Sequence, residues 1–229
     1  MDPRIERTTA ALRTAVLELA TEHDIDDVTV SQVAARAGIN RATFYDHASS
    51  PADLLTGILR TELDAIRDEL FAAVGVMPDG GAAQEGGPGP GTARAGAETS
   101  TATATATPPD PRRVVDSITR SVAGHVDAHA DIYERARDGG LSAPLFRLLA
   151  EHFTETLRAF LVSHPHLMPV SHDAGPTDVE QAAHAYACYV GLGSVGALES
   201  WLATPVPRDP EFFPRIARTS LASWWTAPN

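Results

Sequence analysis

The chain has 229 residues, 43% of them hydrophobic, and a net charge of −12 from 30 acids against 18 basic residues, every one of them arginine. That length accommodates one small and one medium domain with an ordinary core, and Cys188, the sole cysteine, rules out an intramolecular disulfide framework. No apolar run approaches the roughly eighteen residues of a membrane span, and the opening MDPRIERT lacks a secretory core, so a cytoplasmic protein is expected.

Arg4 to about Glu22 reads as a first helix, with Ile5, Leu12, Val16 and Leu19 on one face. Its role is to pack behind the two helices after it, with Arg4 and Arg7 placed to reach a phosphate or a minor groove. Glu22, Asp24, Asp26 and Asp27 then gather in a loop. The next stretch, VTVSQVAARAGINRATFYDH from Val28 to His47, reads as two short helices joined by the turn Gly38-Ile39-Asn40. Thr29 is an N-cap and Gln32 stands three residues later, a capping box that starts the first helix at about Val30. Val30, Val33, Ala34 and Ala37 recur at helical spacing until Gly38 supplies the left-handed residue that ends a helix. Asn40 caps the second helix, while Ile39 and Phe44 point back at the first.

This is a helix-turn-helix, whose second helix is suited to a DNA major groove. An ordinary helical hairpin would need only the apolar spacing and the glycine. Here the exposed residues are also able to hydrogen-bond bases or phosphates. Asn40, Arg41 and Thr43, with Ser31 beside them, are expected to face base edges, and Thr29, Tyr45 and His47 to hold phosphates. Whole-chain acidity opposes such a role. The stretch from Thr29 to Ser50, however, carries Arg36 and Arg41 against one acid, Asp46. Docking is therefore expected to rest on few cations, helix N-termini and neutral donors, with a modest salt dependence.

The segments ALRTAVLELATEH, VTVSQVAARAGINRATFYDH and SSPADLL, in that order, closely resemble the TetR family of bacterial transcription regulators over about the first 60 residues. The resemblance implies a homodimeric one-component repressor without enzymatic activity or cofactor. It would bind a near-palindromic double-stranded operator and be released by a small-molecule effector. Two residues depart from the family pattern: Ala48 stands where an aromatic is usual, and Pro51 where a lysine usually sits near phosphate. Pro51 is otherwise well placed, following a Ser50 cap whose capping box Asp53 would complete. These departures and the acidity motivate an alternative: a ligand-binding or interaction module with the same fold that has lost sequence-specific DNA binding.

Ser50 to about Val74 is an amphipathic helix bearing Leu54, Leu55, Ile58, Leu63, Ile66 and Leu70, and the resemblance makes it the connector to the rest. Residues 75–111 are mostly Gly, Ala, Pro, Thr and Ser, including TSTATATAT, too poor in apolar groups to offset ordering entropy. They are expected to form a disordered insertion. Helical periodicity returns at about 112–128, 130–138, 142–163, 176–203 and 209–225, interrupted by Gly139-Gly140 and by the loop HPHLMPVSHDAGP. The fold class is therefore all-α. The expected domains are a helix-turn-helix domain at 1–50, a connecting helix at 51–74, the insertion, and a ligand-binding and dimerisation domain at 112–229.

In that last domain Tyr133, Phe146, Phe153, Phe160, Tyr186 and Tyr189 are a mainly apolar set suited to lining a small-molecule pocket. The resemblance implies a dimer interface through the last two long helices, for which Val190, Gly193, Ala197, Trp201, Phe213, Ile216 and Leu221 are candidates. Gly191-Leu192-Gly193-Ser194-Val195-Gly196 spells the dinucleotide-binding pattern GxGxxG, but its surroundings are helical rather than strand-turn-helix, so it is set aside. His125 and His129 stand one helical turn apart with no evident third ligand, and His164, His166 and His172 share a loop. All five are expected to be solvated, and no metal site is assigned.

Overall fold

A computed structural model describes residues 3–74, 111–136, 139–169 and 175–220. The expected insertion, apart from Pro111, lies outside the described residues, as do His172, Leu221 and Trp224. The described residues form the helices α1 (Pro3–Glu22), α2 (Val30–Ala37), α3 (Arg41–Tyr45), α4 (Pro51–Val74), α5 (Pro111–Ala128), α6 (Ala130–Tyr133), α7 (Ala143–Ser163), α8 (Pro176–Leu202) and α9 (Phe212–Ser220). No strand occurs among them, and the fold is all-α as the sequence implied.

The first core forms where apolar residues recur at helical spacing. Leu12, Ala15, Val16 and Leu19 of α1 are buried, as are Val33 of α2, Phe44 of α3 and Leu55 and Leu59 of α4. Helix α4 packs against α1 and also against α5 and α7, so one helix belongs to both halves of the chain. Beyond it, α7 buries nine residues and runs along α8. That pairing explains one glycine of the GxGxxG string. A Cβ on Gly191 would stand 2.9 Å from Thr154 Oγ1 and 3.1 Å from the Thr154 backbone nitrogen, so the glycine lets the two helices approach. The whole string lies inside α8, which excludes the strand-to-helix turn that a dinucleotide site needs.

Three expectations are corrected here. The helix expected over 130–138 closes after one turn at Tyr133, and Gly139 and Gly140 follow in left-handed backbone at φ +71° and +94°. The last helix begins at Phe212 rather than 209, because Asp209 turns the chain, accepting the Glu211 N–H on its carboxylate at 2.9 Å and the Phe212 N–H on its carbonyl at 3.1 Å. Trp201 and Phe213, offered as dimer contacts, lie in the protomer interior. The Trp201 indole N–H donates to the Asp209 carbonyl at 2.9 Å, and the Phe213 ring sits 6.1 Å from that of Phe153. Cys188 is half-buried, its sulfur 3.6 Å from His184 Nε2.

The Gly191 contact generates a first prediction. Gly191→Ala should destabilise the protein by about 1–3 kcal/mol, because the nearest atoms include backbone of α7. Gly57→Ala, where nothing lies within 4 Å of the added carbon, should stabilise by up to about 1 kcal/mol. Urea unfolding of both variants checks the pair.

A second prediction concerns acid. Burial pushes His125 down to about 4 and holds His152 well below the ordinary histidine value, so both stay neutral in the folded protein. The unfolded chain takes up these protons first, so stability is fully present above the ordinary histidine pKa of about 6.5 and is lost as pH falls toward 4. Urea midpoints measured across that window should decline, and the decline should shrink in His152→Gln if that variant folds.

Candidate nucleic-acid interface and apolar cavity

Each boundary of the helix-turn-helix is closed by a bond between residues a few positions apart. The Thr29 hydroxyl accepts the Gln32 N–H at 3.3 Å, and Gln32 Oε1 accepts the Thr29 N–H at 2.8 Å and its hydroxyl at 2.7 Å. At the other end Gly38 adopts φ 69°, which lets its N–H reach the Ala35 carbonyl and the Ile39 N–H reach that of Ala34 at 3.0 Å. This paired closure is a Schellman motif. Asn40 then opens α3, its Oδ1 accepting the Thr43 N–H at 2.8 Å and the Thr43 hydroxyl at 3.2 Å. Phe44 is fully buried and holds α3 against the core, which leaves Arg41, Tyr45 and His47 outward, Tyr45 54% exposed.

Of the seven residues expected at a DNA surface, Ser31, Asn40, Arg41, Tyr45, His47 and Thr29 are exposed and Thr43 is half-buried. Thr29 and Thr43 spend their hydroxyl protons on caps, and Asn40 spends its carbonyl, leaving the Asn40 amide group to donate. The two cations differ. Arg36 is held by Glu18 at 3.2 Å and Glu22 at 3.1 Å, and its hydrogen bond keeps the Glu22 carboxyl below its ordinary range. Arg41 has no ion pair among the described residues. The second capping box is displaced by one residue. Ser50 Oγ accepts the Asp53 N–H at 3.1 Å as expected, but the Asp53 carboxylate returns to the N–H and hydroxyl of Ser49, both at 2.9 Å.

In the second half, α5, α7, α8 and α9 surround a mainly apolar cavity of about 530 Å³. Its wall includes Ile118, Phe153, Leu157 and Leu192, with the hydroxyls of Thr119, Thr156 and Ser194. Thr156 Oγ1 is buried without a hydrogen-bond partner among the described residues, so it has a bond to offer. Of the six residues expected to line a pocket, the structure brings Phe153 and Tyr189 to this cavity. Tyr133 and Phe160 are instead sealed in the core, Phe146 lies at the surface, and Tyr186 packs half-buried against the core. Four residues expected at a dimer interface, Val190, Gly193, Ala197 and Ile216, line the cavity.

The histidines are not simply solvated either. His164 stacks on Phe160 at 4.6 Å, and His125 and His129 face Glu62 of α4, a residue that sequence spacing could not connect to them.

The cap on α3 gives a third prediction. Asn40→Ala should lower unfolding free energy by about 1 kcal/mol, and Asn40→Asp, which keeps the cap acceptor, should restore it. Thermal unfolding of the two variants beside the parent protein measures the difference.

Residues 12–58 match the family model described as bacterial regulatory proteins, tetR family. Among curated proteins, an uncharacterized HTH-type transcriptional regulator of Bacillus subtilis (strain 168), YxbF, is 36% identical over 74 residues. That match takes in 32% of this chain and only 20% of the relative. Among solved structures, the fatty acid degradation regulator FadR from Bacillus halodurans matches at a TM-score of 0.44 and 11% identity, over 96% of this chain and 97% of that one. The helix-turn-helix domain of this chain, residues 12–58, is thus of the type found in the tetR family of bacterial regulatory proteins.

Proposed function

We propose that this protein is a DNA-binding transcriptional repressor that acts as a homodimer and is released from its operator by a small apolar effector. The observation that carries the reading is the exposed face of Asn40, Arg41, Tyr45 and His47 on a helix fixed at both ends. In it, Arg41 and the Asn40 amide read base edges, with Ser31 and Thr43 flanking them. Tyr45, His47 and the Thr29 region contact phosphates. Such roles suit the donor inventory of these side chains.

Effector binding is assigned to the α5–α7–α8–α9 cavity. About 530 Å³ lies within the usual range for small-molecule sites, and a mostly apolar wall with a few hydroxyls suits a hydrophobic ligand with one or two polar groups. Dimerisation is assigned to α8 and α9. Ala185, Tyr189, Leu192, Gly193, Gly196 and Ser200 form an exposed stripe along α8, and it borders the cavity mouth. A ligand there acts by favouring one arrangement of the two protomers over another, and only to the extent of its differential affinity.

Expected domains 1–50, 51–74 and 112–229 take these three tasks: reading DNA, connecting, and binding effector and partner. The test is binding of the purified protein to labelled duplex from upstream of its own gene, and to a randomised duplex pool, across several salt concentrations. Wild-type binding with a shallow salt slope is expected, with Tyr45→Ala weakening it and Arg41→Ala eroding discrimination between sequences by about 1–3 kcal/mol. Failure to select any sequence from the pool at low salt would overturn the reading and leave the ligand-binding module in its place.

A further inference from the structure

Glu62 of α4, His125 of α5 and His129, the residue between α5 and α6, bring three ligand atoms within 4.8 Å of one another. His129 Nε2 lies 2.8 Å, and His125 Nδ1 3.4 Å, from the same carboxylate oxygen, Glu62 Oε2. Around a tetrahedral Zn²⁺, with nitrogen and oxygen each about 2.0–2.2 Å from the ion, ligand atoms stand roughly 3.3 Å apart. The His125–Glu62 separation already has that value. His129 must open by roughly half an ångström to match, a small side-chain rotation for a partly exposed residue.

The remaining atoms of the three side chains are occupied in a way that suits ligation. The other nitrogen of His125 lies 3.2 Å from the Tyr133 hydroxyl, which is buried beside it. A proton on that nitrogen leaves the Nδ1 lone pair facing Glu62. Arg13 of α1 donates to Glu62 Oε1, which holds the carboxylate with Oε2 toward the two imidazoles. Ligating histidines and carboxylates are commonly oriented by such outer hydrogen bonds.

We propose that Glu62, His125 and His129 bind a divalent transition-metal ion of the Zn²⁺ class, oriented by Arg13 and Tyr133, with a further coordination position left to solvent. Two nitrogen donors disfavour Mg²⁺ and Ca²⁺, which take oxygen ligands. The ligands come from α4, α5 and the junction of α5 with α6, and the orienting arginine from α1, so a bound ion ties the helix behind the helix-turn-helix to the second half of the chain. The site stands whether or not the protein binds DNA.

The experiment uses the full chain prepared without a polyhistidine tag, stripped with a chelator, and titrated with Zn²⁺ by calorimetry and with Co²⁺ by visible absorption. One ion per chain is expected, with a Zn²⁺ Kd below about 1 µM, Co²⁺ ligand-field bands of a low-coordinate site, and a raised melting temperature. His129→Ala and Glu62→Gln, confirmed folded by circular dichroism, should each weaken binding more than about tenfold, and Arg13→Gln by about tenfold with unchanged stoichiometry. His166→Ala, at an exposed position in another loop, should leave it unchanged. Absence of saturable binding, indifference of binding to His129→Ala and Glu62→Gln, or equal affinity for Mg²⁺ would overturn the assignment.

Discussion

The structure depends on a single apolar stripe, Leu55, Leu59 and Leu63 of α4, one residue per turn and all fully buried. Because α4 packs against α1 on one side of the chain and against α5 and α7 on the other, the stripe is core to both halves. Each such leucine contributes about 1.5–3 kcal/mol when removed from water. The ion pairs at its edges are of a different kind. Arg60 reaches Glu151 of α7 at 2.6 Å and Glu62 pairs with Arg13 of α1, both at sites partly open to solvent. Exposed pairs add little stability. The leucines therefore hold α4 in place, and the charged neighbours favour one rotation of it over others. α1 also touches α6, so the two halves meet through α4 and through this smaller contact.

What the sequence made legible is what is settled locally. Thr29 with Gln32, Gly38, and Asn40 with Thr43 are partnerships between residues three or four apart, so residue type and spacing nearly determine the geometry. Even there a detail escaped. Asp53 returned to Ser49 rather than to the cap residue Ser50, because Ser49 offers both an N–H and a hydroxyl to the same oxygen. The helix expected through residue 138 stops at Tyr133, ahead of the glycines that marked its expected end, and the apolar spacing carries no signal for that earlier stop.

The second half was less legible because its properties are set by packing between distant segments. Trp201 and Phe213 have the apolar bulk of interface residues, and bulk alone does not separate an interface from a core. The deciding contacts, Trp201 with the Asp209 carbonyl and Phe213 with Phe153, appear only once the helices are assembled. The cavity has the same history. Its wall combines α5, α7, α8 and α9, and the aromatic residues that seemed suited to it divided among wall, core and surface. Glu62 is the clearest case, since no spacing rule links a glutamate on α4 to His125 and His129 some sixty residues later.

The net charge of −12 ceases to be paradoxical when each charge is followed to its partner. Salt screens exposed charges beyond about 8–10 Å, so a duplex at α3 would sense the local set rather than the total. In that set Arg36 is already neutralised by Glu18 and Glu22, and Arg41 is unpaired among the described residues. Counterion release scales with the number of phosphates neutralised, so such a surface gains little from any duplex merely for being a polyanion. The remaining acids oppose indiscriminate association. Binding of the proposed kind must then draw on base-edge contacts and neutral donors for a larger share of its free energy than a strongly basic protein needs. An acidic regulator built this way sacrifices affinity for DNA in general more than affinity for its own site, and a small cationic inventory becomes a source of discrimination.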